Sequence, residues 1–289
     1  MSTRSIALAN QKGGVGKTTT AVSVAACLAE RGKRTLLVDL DPQANATSAL
    51  GLDKLSGGSV YRSLLGGAEL ADAIRPSGYE NLDIIPSEVD LAVAEVDVAR
   101  TENYLQRLRL ALTPIHDANR YEFVLVDCPP SLGILTMNGL AAVDRVLVPL
   151  QCEYFALEGL AVIMRVVQQI RDSGASPGLE LEGIVMTMFD GRTNLSQQVV
   201  NEVRSHFGGK VFQTIIPRTV RLGEAPSFGK PITVYDTHSH AATAYRALTA
   251  ELLAQPWPVP AAAAATAAPA TSAPENAPAG AESPAPTSS

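Results

Sequence analysis

The segment 12–19, Lys-Gly-Gly-Val-Gly-Lys-Thr-Thr, constrains the fold of this chain more than any other feature. It lies between the strand-like residues 5–10 and the helix-like residues 17–31, so the chain passes from strand to glycine-rich loop to helix. Glycines let such a loop curl until several N–H groups point at one anion, and the positive end of the helix dipole adds to the attraction. The segment therefore predicts a phosphate-binding loop.

Two side chains of this loop are expected to act on a bound nucleotide. Lys17 would reach the β and γ phosphates of ATP, and the Thr18 hydroxyl would bind magnesium. The common pattern GxxxxGK[ST] is not met strictly, because its first position falls on Gln11 and a second lysine opens the loop. The predicted nucleotide-binding residues of this variant loop are Lys12, Gly13, Gly14, Val15, Gly16, Lys17, Thr18 and Thr19.

Acidic residues follow two further strand-like segments. Asp39 and Asp41 lie in the run VDLDPQANAT, and Asp127 closes the run FVLVD. Open α/β sheets bind ligands beyond the carboxyl ends of their strands, so these acids are expected near the phosphate loop. Asp39 and Asp41 would share one side of the pleat if the strand extended that far, unless one of them caps a helix beginning near Pro42. Asp41 is predicted to position water or organise magnesium, and Asp127 to be a magnesium partner.

Strand and helix patterns alternate along residues 1–255, without an internal repeat or a linker rich in Gly or Pro. This alternation predicts one α/β domain, a doubly wound and mainly parallel sheet with helices on both faces. The predicted strands, short and aliphatic, are 5–10, 34–40, 82–86, 122–127, 144–150, 182–188 and 211–216. The predicted helices are 17–31, 88–112, 133–142, 156–173, 194–207 and 240–254.

The composition changes abruptly at Pro256. From there to Ser289 the chain is almost entirely Ala, Pro, Ser, Thr and Gly, and it contains no Lys or Arg. Such a segment buries too little apolar surface to offset its ordering entropy. We therefore predict a phosphate-loop (P-loop) domain over 1–255 and a disordered Ala/Pro-rich tail over 256–289.

Charge and cysteine content exclude several classes of protein. The net charge of −6 argues against a generally basic nucleic-acid binder, so DNA binding would need a local patch. Cys27, Cys128 and Cys152 are scattered without a CxxC pair, which favours reduced thiols in the core of a cytosolic protein. The sequence shows neither a signal-peptide h-region nor an apolar run long enough to span a bilayer. A soluble, cytoplasmic protein is expected.

Taken together, five segments resemble the ParA/Soj family of chromosome- and plasmid-partitioning ATPases, within the wider ParA/MinD group of P-loop NTPases with a deviant Walker A loop. The resemblance runs from about residue 4 to about residue 254. The segments are KGGVGKTTT at 12–20, LLVDLDPQANAT at 36–47, VLVDCPPSLG at 124–133, VPLQCEYFALEGL at 148–160 and IPRTVRLGEAPSFGKPI at 216–232. The resemblance implies a magnesium-dependent ATPase that forms a homodimer on ATP, binds DNA non-specifically and hydrolyses ATP slowly until a ParB-type centromere-binding protein accelerates it. It also implies a role in chromosome or plasmid segregation on the nucleoid, without a membrane partner.

The resemblance also assigns roles to individual residues. Lys12 would reach across the dimer interface to the partner's phosphates, in the manner of an arginine finger supplied in trans. Gly13 would stay small so that two subunits can close face to face on two ATP molecules. Asp41 matches the acid that orients the attacking water, and Asp127 matches the Walker B acid. Two further nucleotide contacts are implied, at Pro217 in the adenine pocket and at Glu153, where a ribose contact across the interface would arise. Arg218, one of the scattered basic residues of the chain, is a separate candidate for the nucleotide pocket.

No basic run marks a DNA-binding surface in this chain. Non-specific DNA binding depends on phosphate contacts by Lys and Arg. Arg192 and Arg221 match DNA-binding positions of the family, and Lys230 is a third candidate. A dimer that aligns two such sparse patches doubles the phosphate contacts, so ATP could control DNA binding through dimerisation.

Three other functions remain open at this stage. A membrane-associated division regulator like MinD would need a basic and apolar C-terminal helix, which the Ala/Pro-rich end does not supply. A cluster-carrying protein like the nitrogenase iron protein would need cysteines presented by both subunits to one cluster, and Cys128 and Cys152 form no evident pair. A partition-like ATPase that positions another cargo would share the same biochemistry and differ only in its partner.

Overall fold

Runs of Val, Leu, Ile and Ala form one sheet of eight strands. The structure, a computed structural model, describes residues 3–54 and 60–257. Most strand positions are buried, as expected of strands covered on both faces. The strands are β1 Arg4–Leu8, β2 Thr35–Asp39, β3 Arg75–Tyr79, β4 Leu82–Ile85, β5 Phe123–Asp127, β6 Arg145–Gln151, β7 Glu180–Phe189 and β8 Val211–Pro217.

The order of the strands places β1 at the centre of the sheet. The order is β3-β4-β2-β5-β1-β6-β7-β8, and all neighbours are parallel except β3 and β4. The chain leaves β1 towards β2 on one side and later leaves β5 towards β6 on the other. A reversal of this kind opens a crevice at the carboxyl ends of the central strands. The loop after β1 therefore lies where ligands bind in such sheets.

Helices cover both faces of the sheet. One layer holds α1, α2, α10 and α11, and the other holds α3 to α7. The helices among the described residues are α1 Lys17–Glu30, α2 Asn45–Ala49, α3 Val60–Leu64, α4 Ala94–Val98, α5 Arg107–Asp117, α6 Ile134–Ala141, α7 Ala156–Asp172, α8 Asn194–Phe207, α9 Val220–Glu224, α10 Ile232–Tyr235 and α11 His240–Ala254. The predicted fold class, a doubly wound and mainly parallel sheet, is confirmed.

One predicted helix is wrong. Residues 88–112 do not form one continuous helix. A 3₁₀ turn at Val89–Ala92 and α4 are followed by irregular backbone, and α5 begins only at Arg107. The Thr101 hydroxyl donates to the Val98 carbonyl oxygen (2.8 Å) and closes α4. Asn103 then adopts a left-handed conformation with φ 52°, which a helix cannot contain. The apolar periodicity continues across this break, which is why the sequence predicts a single helix.

One strand was missed. β3 has the sequence RPSGY, and Pro and Gly are both rare in strands because Pro lacks the N–H that a ladder needs. The strand is tolerated because it lies at the edge of the sheet, antiparallel to β4 and with a register shift between Pro76 and Tyr79. The other predicted strands and helices agree with the structure to within about two residues at each end.

The described residues up to Pro256 form one compact unit. From residue 258 onward the predicted tail lies outside the described residues, so the division of the chain at 255 stays a prediction. Cys27, Cys128 and Cys152 are unpaired and buried, as predicted for core thiols. Within the described ranges we find no helix that combines the length and the apolarity needed to cross a bilayer.

Candidate active site

The loop after β1 takes its shape from two glycines. Gly14 and Gly16 have φ values of 74° and 88°, which side-chain-bearing residues rarely adopt. Gly16 precedes α1, and no side chain caps the helix at this end. The free N–H groups at the start of α1 therefore face the crevice, where an anion can accept their hydrogen bonds.

Two buried side chains fix the loop to the sheet. The Asn10 amide donates to the Pro149 carbonyl oxygen of β6 (2.8 Å), and its oxygen accepts the Lys12 N–H (3.0 Å). On the far side, the Thr187 hydroxyl of β7 donates to the Val15 carbonyl oxygen (2.8 Å). Both ends of the loop are thus tied to strands, so its N–H groups are oriented before a ligand arrives.

Lys17 points into the site. Its side chain is largely buried, and its ammonium group donates to the Lys12 carbonyl oxygen (3.0 Å) across the loop. Burial lowers the pKa of Lys17, while the nearby carboxylates of Asp127 and Asp41 act in the opposite direction. A cation held in the curl of a phosphate loop is placed to bind anionic oxygen.

Lys12 points away from the site. Its side chain is 47% exposed and forms an ion pair with Glu153, whose side chain is 44% exposed and also accepts a hydrogen bond from Gln151. Tyr154 and Phe155, directly after Glu153, are exposed aromatic residues that contact each other edge to face. The sequence did not indicate that Lys12 and Glu153 pair within one chain.

Asp127 ends β5, which lies between β1, followed by the phosphate loop, and β2, followed by the segment that carries Asp41. In the parallel register it lies beside Leu8 of β1 on one side and Asp39 of β2 on the other. It is fully buried, and neither carboxylate oxygen has a hydrogen-bond partner among the described residues. Burial, followed by the negative charge of Asp39, raises the pKa of Asp127 well above its ordinary value. The Thr18 hydroxyl has a weaker, opposing effect, although its geometry does not amount to a hydrogen bond.

An unpartnered buried carboxylate of this kind indicates that a cation or its water shell completes the site. The described residues contain no group of three or more His, Cys, Asp or Glu side chains arranged around a metal. Magnesium suits this arrangement, because it is commonly held by one or two protein oxygens together with phosphate oxygens and water. The Thr18 hydroxyl at the start of α1 and the Asp127 carboxylate supply such oxygens.

Asp39 and Asp41 have different surroundings. β2 ends at Asp39, so the condition under which both acids would share one side of the pleat is not met. The Asp39 carboxylate accepts the Thr47 N–H (2.8 Å), the Thr47 hydroxyl (2.7 Å) and the Asp41 N–H (3.2 Å). Since Thr47 lies in the first turn of α2, Asp39 caps that helix from a distance. Burial raises the pKa of Asp39, and the Thr47 hydrogen bonds oppose the rise.

Asp41 is held by its backbone and keeps part of its carboxylate available. Its carbonyl oxygen accepts the Ser87 hydroxyl (2.6 Å), and the Ser87 N–H donates to the Thr47 hydroxyl (2.9 Å). One oxygen of its carboxylate, Oδ1, accepts the Gln43 N–H (2.9 Å), whereas Oδ2 accepts no hydrogen bond from the described residues. The network of Asp39, Thr47 and Ser87 therefore fixes the Asp41 backbone and leaves one oxygen for water or ligand.

A cavity of about 210 Å³ adjoins the loop on the side of β7 and β8. Gly16 and Thr19 form one wall, and Thr187 and Met188 form another. Pro217 and Arg218 line the remainder, next to the buried Tyr245. The cavity is largely apolar and lies next to the anion site, a combination that fits a purine base.

A family model described as an AAA domain matches residues 3–181 of the chain. The chromosome partitioning protein ParA of Myxococcus xanthus is 49% identical over 257 residues, 88% of this chain and 89% of that protein. The sporulation initiation inhibitor protein Soj of Bacillus subtilis is 49% identical over 250 residues, 86% of this chain and 98% of that protein. The chain belongs to the ParA/Soj family of chromosome-partitioning ATPases.

Solved structures agree with this membership in fold. A cobyrinic acid a,c-diamide synthase from Mycobacterium smegmatis, with a bound ATP analog and magnesium, superimposes with a TM-score of 0.75 at 38% identity. The match covers 87% of this chain and 94% of that chain.

The three basic residues predicted for DNA lie in three different segments of this ParA/Soj chain. Arg192 lies in the turn between β7 and α8, with a side chain that is 89% exposed. Arg221 lies on α9 with a half-exposed side chain, and Lys230 lies just before α10. Lys230 lines a cavity of about 280 Å³ beside Thr18 and Asn45, so it faces α1 and α2.

Sequence reasoning missed four residues that hold the ParA/Soj site in shape: Asn10, Thr47, Ser87 and Thr187. All four are buried polar residues: Asn10 and Ser87 lie just after β1 and β4, Thr187 lies near the carboxyl end of β7, and Thr47 lies in α2. The position of Asn10, two residues after an apolar strand, was a usable signal. The partners of the other three come from distant parts of the chain, and no local pattern identifies them.

Proposed function

We propose that this chain is a magnesium-dependent ATPase in which ATP joins two subunits, the pair binds DNA non-specifically, and hydrolysis releases it. The observation that carries this proposal is the opposite orientation of two lysines in one loop. Lys17 turns inward and is buried, whereas Lys12 turns outward and is half exposed. A phosphate in the loop of the same chain is served by Lys17. Lys12 is placed to serve a phosphate presented by a second subunit.

Gly13 supports a face-to-face pair. A Cβ added at Gly13 would meet only the Cβ of Pro130 at 3.9 Å, an ordinary contact, and the φ of Gly13 is not left-handed. Nothing among the described residues therefore requires glycine here. If a larger residue at this position blocks function, the clash must come from a partner that closes over the loop.

The catalytic roles follow from the site geometry. Lys17 and the N–H groups at the start of α1 bind the phosphates, and Lys12 of the second subunit adds positive charge where the transition state accumulates negative charge. The Thr18 hydroxyl and Asp127 would hold magnesium, which when bound neutralises charge on the phosphate oxygens. Asp41 orients the attacking water through its available oxygen. Pro217 and Arg218 border the purine cavity.

Glu153 has two uses in this scheme. In the single subunit it neutralises Lys12, but an exposed ion pair of this kind contributes only about 0–1 kcal/mol, so it opens readily. In the pair, Lys12 moves to the opposite phosphates and Glu153 becomes available for a ribose hydroxyl across the interface.

The partner proposed for this switch is a ParB-type centromere-binding protein whose basic N-terminal peptide stimulates hydrolysis. The net charge of −6 favours a basic partner peptide. Cycles of DNA attachment and release would then drive segregation of a chromosome or plasmid, with the protein on the nucleoid.

The proposal is tested on the purified full-length chain. ATP hydrolysis and DNA co-sedimentation are measured with ATP or ADP, with magnesium, and with or without the N-terminal peptide of a ParB-type protein. We expect slow hydrolysis that the peptide stimulates, and retention on DNA with ATP but not with ADP. DNA retention that is equal with ATP, with ADP and without nucleotide would contradict the proposal.

A further inference from the structure

Both arginines proposed for DNA are already engaged by acids of their own chain. Arg192 donates through Nε to Oδ1 of Asp190 (2.8 Å) and through Nη2 to Oδ2 (2.6 Å), a two-pronged pair. The Arg192 N–H also donates to Oδ1 (3.1 Å), so the acid fixes the turn as well as the guanidinium group. A DNA phosphate can bind this guanidinium group fully only by displacing the Asp190 carboxylate.

Arg221 lies between two acids. Its Nη1 is 3.2 Å from Oε2 of Glu224, one turn further along α9, and its Nε is 3.4 Å from Oδ2 of Asp236 beyond α10. The Tyr235 hydroxyl donates to the same Glu224 oxygen (3.1 Å), which fixes the carboxylate in place beside the arginine. The acids come from two separate segments, so the arrangement is not merely a helical i,i+3 pair.

These acids outnumber the arginines that they hold. Two arginines face three carboxylates, and the arginine side chains are more exposed than the acids that hold them. A surface built only to bind phosphate would leave its arginines free, because each neighbouring carboxylate competes with the phosphate and repels it.

We propose that Asp190, Glu224 and Asp236 are competing acceptors that keep the DNA affinity of each subunit low, so that DNA retention depends on two subunits binding together. This inference rests on the proposed function and adds its regulation. When a single subunit binds DNA, its arginines exchange carboxylate contacts for phosphate contacts, so the net gain in binding free energy is small. Two subunits held together by ATP multiply that gain, because the second attachment is intramolecular.

Asp190 does not release its arginine through a change of pH in the physiological range. The hydrogen bonds from Arg192 lower the pKa of Asp190 to about 2, so the carboxylate stays charged. The contest between carboxylate and phosphate is therefore set by DNA concentration, salt and subunit pairing.

The test compares DNA binding of Glu224→Gln, Asp236→Asn and Asp190→Asn with the unaltered full-length chain, using ATP, magnesium and a salt series. The matched control is Glu202→Gln on α8, an exposed acid whose carboxylate makes no hydrogen bond or ion pair with the described residues. A surface ion pair changes an equilibrium about 1.4- to fivefold, so we expect each of the three variants to tighten DNA binding by about that factor per subunit. The control should change it by less.

A double variant separates direct competition from a change in net charge. If Glu224 acts by holding Arg221, then in an Arg221→Ala background Glu224→Gln tightens DNA binding no more than the Glu202→Gln control does. If Glu224→Gln fails to fold, Asp236→Asn removes the other carboxylate that pairs with Arg221 and tests the same competition. The inference is overturned if the gain in DNA affinity only equals that of the Glu202→Gln control, or if it stays above the control in the absence of Arg221. If the unaltered chain shows no ATP-dependent DNA binding, the proposed function fails as well, and the two failures are told apart by that first measurement.

Discussion

Replacing Gly229 with alanine should destabilise the domain, because two backbone segments touch at this residue. Gly229 has φ 61°, and a Cβ added there would lie 2.6 Å from the Cα and 3.1 Å from the N of Gly51. Gly51 follows α2, and Gly229 follows the 3₁₀ turn Ala225–Phe228 behind α9. The contact therefore joins the segment after Asp41 to the segment that carries Arg221.

The expected loss of stability has two sources, the left-handed backbone of residue 229 and the close contact with Gly51. A left-handed conformation costs a non-glycine residue about 1–2 kcal/mol, and overpacking a tight contact costs about 1–3 kcal/mol. The free energy of unfolding should fall by about 2–5 kcal/mol, measured by urea unfolding followed by circular dichroism. The control is Gly223→Ala on α9, where an added Cβ meets nothing within 4 Å and the change should be neutral or stabilising by up to about 1 kcal/mol. A Gly229→Ala variant within about 0.5 kcal/mol of the unaltered protein would refute the reasoning.

Two further substitutions test the site. Thr47→Val removes the hydroxyl that donates to Asp39 and accepts the Ser87 N–H. It should lower the free energy of unfolding by about 2–4 kcal/mol and lower kcat more than it changes KM. Thr47→Ser should restore both stability and kcat, and a fully active Thr47→Val variant would contradict this role. Asp127→Asn removes a buried charge without a partner, so it should stabilise the nucleotide-free protein by about 1–3 kcal/mol and weaken magnesium binding about 10–100-fold. The sign follows from the raised pKa of Asp127: the folded state favours the protonated form, so ionisation opposes folding as the pH rises. A destabilised nucleotide-free Asp127→Asn protein would show that the carboxylate has a partner in the fold.

The sequence was sufficient to predict the features that depend on residues close together along the chain. Gly14 and Gly16 predict a curled loop, Lys17 begins α1 as expected, and β5 ends at Asp127 as predicted. β2 ends at Asp39, one residue before the predicted end of that strand. Neighbouring side chains and backbone preferences decide each of these, so reading along the chain identifies them.

The remaining features depend on residues that are distant in sequence. Asp39 serves α2 through Thr47, and Ser87, which joins the same network, arrives from the end of another strand. The ion pair of Lys12 with Glu153 joins residues 141 positions apart. Patterns of spacing cannot express such contacts, because they arise from the order of strands in the sheet. The break before α5 was missed for a different reason: a left-handed Asn103 interrupts a helical pattern that continues on both sides.

The central claim is that Lys12 of one subunit completes the ATP site of a second subunit. Its most direct test is the oligomeric state of the full-length chain, measured by sedimentation velocity with ATP and magnesium. An Asp41→Ala variant, used to slow hydrolysis, should form a dimer with ATP and remain a monomer with ADP. Adding Gly13→Val to it should abolish the dimer without lowering the thermal stability of the monomer, because a Cβ added at Gly13 makes only an ordinary contact, 3.9 Å from the Cβ of Pro130. A monomer with ATP, or a dimer that tolerates valine at position 13, would contradict the account.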